Sequence, residues 1–279
     1  MSEESNKKKK SRMQRIATGV PLAAGLVFAL CVGGWLMALV VMVCLSLALY
    51  EELRALQNGG YHPVWWPSFA ALIASAPLMM SHSTVAFGSV VLVFSLMVLL
   101  CIMCRKEPQL QDVMMSILPL LSIVLPGLCM FGLLDTQPRS LQLYLLFLAF
   151  AAPILGDTCA YFVGSAVGGP KLCPSISPNK TIAGALGGLA GSVLSTVVIG
   201  GVFSLFVKDY AFPPLWVSAL IGLVAGAAGQ VGDLLASMVK RHCKIKDFGT
   251  IFPGHGGMMD RLDSILFSVL IIYCFRALL

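Results

Sequence analysis

The residues best suited to chemistry lie together in KRHCKIKDFGTIFPGHGGMMDRLDS, residues 240–264. Lys240, Arg241, Lys244 and Lys246 place four positive charges within seven positions. Gly254, Gly256 and Gly257 flank His255. Glycines allow positive φ and close backbone approach, so their N–H groups can cradle phosphate oxygens. His255 between glycines is poorly placed for a core and well placed to touch a ligand. Asp260 and Asp263 are three residues apart near the start of a helix and so face the same way. Two such acids repel each other unless a cation lies between them, and hard ions such as Mg²⁺ take carboxylate and phosphate oxygens. Positive charge on a solvated loop explains the lysines; it does not explain acids, glycines and a histidine in the same stretch.

Two further acids sit inside apolar sequence. Asp157 lies in LAFAAPILGDTCAYF and Asp233 in GAAGQVGDLLASMV. A charge within an apolar span costs roughly 2.5–3.5 kcal/mol and usually faces a cavity or a partner. Asp233, Ser237, Lys240 and Lys244 follow i, i+4, i+7, i+11 and predict one helical stripe. Lys240 then lies about 10 Å beyond Asp233, an arrangement that suits a metal held beneath a phosphate. A second polar loop, GSAVGGPKLCPSISPNKTIAGALGG, offers Ser177, Asn179, Lys180 and Thr181. These are expected at a helix start, where free N–H groups favour anions. Gly184/Gly188, Gly187/Gly191 and Gly222/Gly226 have the GxxxG spacing of closely packed helices. No Walker A sequence is present.

The elements that must position these groups are set by composition. Of 279 residues, 58% are hydrophobic and 11% charged, against about 25% charged in soluble domains. Mean hydropathy is +0.88. This excludes a soluble enzyme, a disordered chain and a nucleic-acid-binding domain, and predicts an all-α, polytopic transmembrane bundle. Apolar runs predict two short helices within 20–50, hinged at Gly33–Gly34. Further spans follow at about 64–81, 85–104, 113–134, 141–166, 181–207, 215–239 and 264–279. With about nine spans, the N-terminus cytoplasmic and the C-terminus outside, sixteen of the nineteen basic residues fall on the cytoplasmic side. Loops 166–180 and 240–262 then face the cytoplasm. Three regions result: a basic tail over 1–19, a packing region over 20–139, and a catalytic region over 140–279. The first apolar run reads as a retained anchor, not a cleaved signal. The nine cysteines are scattered through apolar sequence and read as packing residues. Glu51, Glu52 and Arg54 read as a solvated helix end, and His62 and His82 as lone loop residues.

These motifs resemble the signature of the phosphatidate cytidylyltransferase (CDP-diacylglycerol synthase) family. The match is carried by Ser237-Met-Val-Lys-Arg, Lys246-Asp247, Pro253-Gly-His-Gly-Gly and Asp260-Arg261-Leu262-Asp263. Gly156-Asp157, Ala160-Tyr161, Lys171-Leu172 and Ser177-Pro178-Asn179-Lys180-Thr181 match a second block. The resemblance covers about residues 153–279; the N-terminal half is similar only in hydropathy and span count. It implies conversion of CTP and phosphatidate to CDP-diacylglycerol and pyrophosphate, with Mg²⁺, at the cytoplasmic face of a bacterial inner membrane. It implies that Asp233 and Asp260 hold the metal with Asp263 and Asp247 close by. Lys240, Arg241, Lys246, His255 and Arg261 match its phosphate-facing part, with Asp157, Ser177, Asn179, Lys180, Thr181, Gly254, Gly256 and Gly257 completing the polar site. Self-association as a homodimer is also implied, and no nucleic acid. The chain departs from the pattern at Ala236, where many members carry Glu. Two rival readings use the same residues. One is a CTP-dependent kinase of a polyprenol- or phytol-type alcohol. The other is a cation-coupled transporter, against which the unlike halves argue.

Overall fold

A computed structural model describes residues 24–25, 27–30, 32–78, 84–252, 256–277 and 279. Gly254 and His255, like the basic tail and His82, lie outside the described residues. Among the described residues, helical backbone before Gly33 is followed in order by α1 (Gly34–Asn58), α2 (Trp65–Leu78), α3 (Thr84–Met103), α4 (Leu110–Leu134), α5 (Arg139–Val167), α6 (Ile182–Phe206), α7 (Leu215–His242) and α8 (Met259–Arg276). Between α5 and α6 stand two short antiparallel strands, β1 (Lys171–Cys173) and β2 (Ser177–Thr181). The predicted helical bundle is therefore correct, with one hairpin added.

Five helices, α1, α4, α5, α6 and α7, are long and apolar enough to cross a membrane. Helix α2 has 14 residues, about 21 Å of helix against a hydrocarbon core of about 30 Å. The chain is a multi-pass membrane protein, with five full-length apolar helices among the described residues.

The break at Gly33 is present: Gly33 has φ 66°, and the Arg139 side chain packs on it and donates to Leu30 O at 2.7 Å. The helix beyond it is not short. It runs 25 residues to Asn58 and carries Glu51 and Glu52 inside the fold, at 4% and 1% exposure. The expected solvated boundary is thus corrected: Glu52 accepts from Ser122 Oγ at 2.9 Å, and Glu51 reaches the start of α8. In α4 the ladder loosens into a π-turn over Leu120–Val124. Pro126 stands two residues beyond it and has no N–H to continue α-type bonding.

Helices α5 to α8 pack in sequence order, and α8 also touches α1, α4 and α5. Glycines set their spacing, as the GxxxG pattern predicts. A Cβ at Gly188 would stand 3.2 Å from Gly156 O, and one at Gly191 would stand 3.1 Å from Leu155 O. At Gly222 it would meet Thr196 Oγ1 and Ser192 O. Ser192 Oγ donates to Ala152 O at 2.7 Å, tying α6 to α5. Without water inside a bilayer, such close packing and interhelical hydrogen bonds hold the bundle.

Gly222→Leu is expected to destabilise the fold by about 1–3 kcal/mol through overpacking, seen as a lower melting midpoint in detergent. Gly88→Ala, whose Cβ meets nothing within 4 Å, should leave the midpoint in place. An unchanged midpoint in Gly222→Leu would show that α6 and α7 can separate freely.

Candidate active site

Helix α7 supplies the spine of the site. Its small residues let α8 lie close: a Cβ at Gly229 would stand 3.2 Å from Ser264 O, and one at Gly232 would overlap Asp263 O. That closeness brings Asp263 to Asp233. Asp157 enters from α5, and its Oδ2 accepts from Ser264 Oγ at 3.1 Å. The three carboxylates are near enough to repel one another.

Two lysines answer this charge. Lys180 on β2 pairs with Asp233 Oδ2, tying the hairpin to α7. Lys240 on α7 pairs with Asp260 Oδ1 at 2.7 Å, tying α7 to α8. The other Asp260 oxygen accepts from Phe248 N at 2.8 Å and Gly257 N at 3.0 Å. Asp260 therefore closes the whole α7–α8 connection onto itself. Phe252 N donates to Gly256 O at 3.0 Å.

The result is a cavity of about 760 Å³ between α5, the hairpin, α7 and α8, within the usual range of roughly 300–1,000 Å³ for small-molecule sites. Of the expected residues, Asp157, Asn179, Lys180, Thr181, Asp233, Lys240, Asp247, Asp260, Arg261 and Asp263 line it together. Ser177, Arg241, Lys246, Gly256 and Gly257 are not on its wall. Arg241 turns to the hairpin and donates to Ile176 O at 3.4 Å. Gly257 serves Asp260, and Gly256 has φ 81° with its Cα against the same carboxylate.

Two local expectations are corrected. Ser177, Asn179 and Lys180 stand on a strand, not a helix start; Thr181 ends that strand and caps α6, accepting from Gly184 N at 3.0 Å. Pro178 and the Gly168–Gly169 turn, with φ 66° and 90°, favour extended and turning backbone over a helix there. Lys244 leaves the predicted stripe because α7 ends at His242 and Lys244 takes φ 56°. The stripe holds through Lys240.

Wall residues that carried no site assignment from spacing include Lys171, Tyr161, Gln230 and Gly164. Lys171 and Tyr161 were visible only as parts of the resemblance. Gln230, which donates to Ala185 O at 2.9 Å, lies one turn before Asp233 and could have been read from that spacing. The packing reading holds for Cys129 and Cys243, which are buried, and not for Cys104 and Cys274, which are exposed; Cys243 lies against Gly59, and burial pushes its thiol up.

Among the described residues no three acid, histidine or thiol side chains converge as a ready-made metal cage. The donor set still suits a hard divalent ion. Five carboxylates face four cationic side chains on the cavity wall, and Mg²⁺ is commonly held by one or two carboxylates plus substrate phosphates.

The fold and cavity define a helical membrane protein with a charged, phosphate-suited pocket at one end of its helices. The chain belongs to the Cytidylyltransferase family, which matches residues 13–279. A relative from Bacillus subtilis (strain 168), named phosphatidate cytidylyltransferase, is 31% identical over 274 residues, covering 95% of this chain and 97% of that protein. One of the same name from Staphylococcus saprophyticus is 43% identical over 148 residues, covering 53% and 54%. A third, from Brucella suis biovar 1, is 40% identical over 129 residues, covering 46% and 45%.

Removing one partner of the buried Lys240–Asp260 pair should cost about 3–5 kcal/mol. Lys240→Met and Asp260→Asn should each lower the melting midpoint, and the double variant should lose less than their sum. Strict additivity would show that the pair does not hold the loop.

Proposed function

We propose that this chain is an integral-membrane phosphatidate cytidylyltransferase, forming CDP-diacylglycerol and pyrophosphate from CTP and phosphatidate. The observation that supports this most directly is the convergence of Asp157, Lys180, Asp233, Lys240, Asp260, Arg261 and Asp263 on one cavity, in a chain of this family. A phosphatidate oxygen attacks the α-phosphorus of CTP. A new P–O bond forms, the bond to the β-phosphate breaks, and pyrophosphate leaves with the electron pair. Both reactants are anions, so charge neutralisation and positioning carry the catalysis. A phosphate monoester is mostly ionised at neutral pH, so no strong base is needed; His255 is assigned a phosphate hydrogen bond.

Lys171, Lys180, Lys240 and Arg261 meet the triphosphate and the departing pyrophosphate. Asn179 and Thr181 present polar groups from the hairpin side. Asp233, Asp260 and Asp263 would hold Mg²⁺, which when bound supplies charge neutralisation at the phosphates. Lys180 and Lys240 are ion-paired with two of these acids, which sets two ammonium groups for phosphate beside the residues that would hold the cation. On a nine-span topology with the N-terminus inside, sixteen of the nineteen basic residues share one side, which supports a site facing the cytoplasm.

A kinase of a membrane alcohol would use similar charges but transfer the γ-phosphate. Membranes given phosphatidate, Mg²⁺ and α-labelled CTP should incorporate label into lipid; incorporation from γ-labelled CTP alone would favour the kinase. Asp260→Asn should lower the rate by about 10²-fold or more. Lys208→Ala, at the far end of α6 where Lys208 donates to Ser204 O, should stay within twofold of wild type.

A further inference from the structure

We infer that Glu51, from the N-terminal half of the chain, is a positioning residue for the active-site loop and for the helix bearing Asp260 and Asp263. The inference starts from an anomaly of burial. A carboxylate with 4% exposure is costly unless its oxygens are satisfied. Glu51 Oε2 accepts from Met259 N at 2.9 Å, the first residue of α8. The Met258 N–H bears on the same carboxylate. A helix N-terminus carries free N–H groups and partial positive charge, so an acid there is favourable. Here the acid comes from a helix 208 residues away in sequence.

The contact is also steric. The Glu51 carboxylate lies so close to Gly249 and Gly257 that a Cβ on either would overlap it. Those glycines sit beside the groups that hold Asp260: Phe248 N and Gly257 N both donate to Asp260 Oδ2. The loop is thus clamped between two carboxylates, Asp260 on the cavity side and Glu51 on the protein side. Glu51 Oε1 is buried without a hydrogen-bond partner. A group kept in such a place fits a positional demand better than a packing one. Its neighbour Glu52 provides the contrast, because it bonds Ser122 within the N-terminal helices.

The kinetic part of the test rests on the cytidylyltransferase reading; the structural part does not. In detergent, Glu51→Gln should speed amide hydrogen exchange across 245–259 by tenfold or more, with exchange in α5 and α6 unchanged. Its kcat should fall by about tenfold or more, since small misplacements of reacting groups are costly, while KM for CTP stays within threefold. Glu52→Gln should lower the melting midpoint without altering exchange in 245–259. Gly249→Ala should impair the enzyme, and Glu51→Asp in that background should restore part of the activity by making room. Wild-type exchange in Glu51→Gln would overturn the inference, as would equal loop effects from Glu51→Gln and Glu52→Gln. If the wild type forms no CDP-lipid, the exchange comparison still decides the positional role.

Discussion

The site depends on how one buried carboxylate is satisfied. Asp260 must place a negative charge at the start of α8, at 9% exposure. It does so by accepting from Lys240 on α7 and from two backbone N–H groups of the intervening loop. Each donor fixes a different piece of chain. The lysine sets the height of α8 along α7, Phe248 N sets the path out of α7, and Gly257 N sets the return. An unpaired acid in this position would cost several kcal/mol, so the loop geometry and the charge stand or fall together.

The second constraint is distance between helices. Acids from α5, α7 and α8 reach one cavity only because these helices approach closely, with glycines at the contacts. Gly156 and Gly188, then Gly222 against Ser192 and Thr196, then Gly229 and Gly232 against α8, form a chain of close approaches across the bundle. Larger residues at these points would push the carboxylates apart and weaken their pairing with lysine. Small residues in the spans and charged residues in the cavity are two parts of one design.

The N-terminal half supports this arrangement from behind. Helix α1 carries Glu51 to the loop and Glu52 to α4, so the half that looks like plain anchor is bonded through buried acid to the half that lines the cavity. The enclosing surface is apolar, with Trp35, Ile73, Phe206 and Trp216 turned outward, as a lipid-facing exterior requires.

Composition, periodicity and motif spacing by themselves determined the class of protein, the helix cores and most of the charged groups on the cavity wall. Hydropathy is a one-dimensional property, so apolar runs such as 141–166 and 181–207 are legible without a fold, as are Asp157 and Asp233 set within them. The GxxxG spacings were legible for the same reason, since a helix turns i and i+4 to one face. Tertiary structure decided what depends on partners distant in sequence. Pro178 and the Gly168–Gly169 turn disfavour a helix there, but that β2 is a strand follows from its pairing with β1. That Glu51 and Glu52 are buried follows from Met259, Gly249, Gly257 and Ser122, all of them far along the chain. That Arg241 and Lys246 leave the wall while Lys171 joins it follows from where α7 ends and how the hairpin folds back. Charge and spacing name the groups able to meet phosphate; only the packing of α1, α5, α7 and α8 determines which of them meet each other.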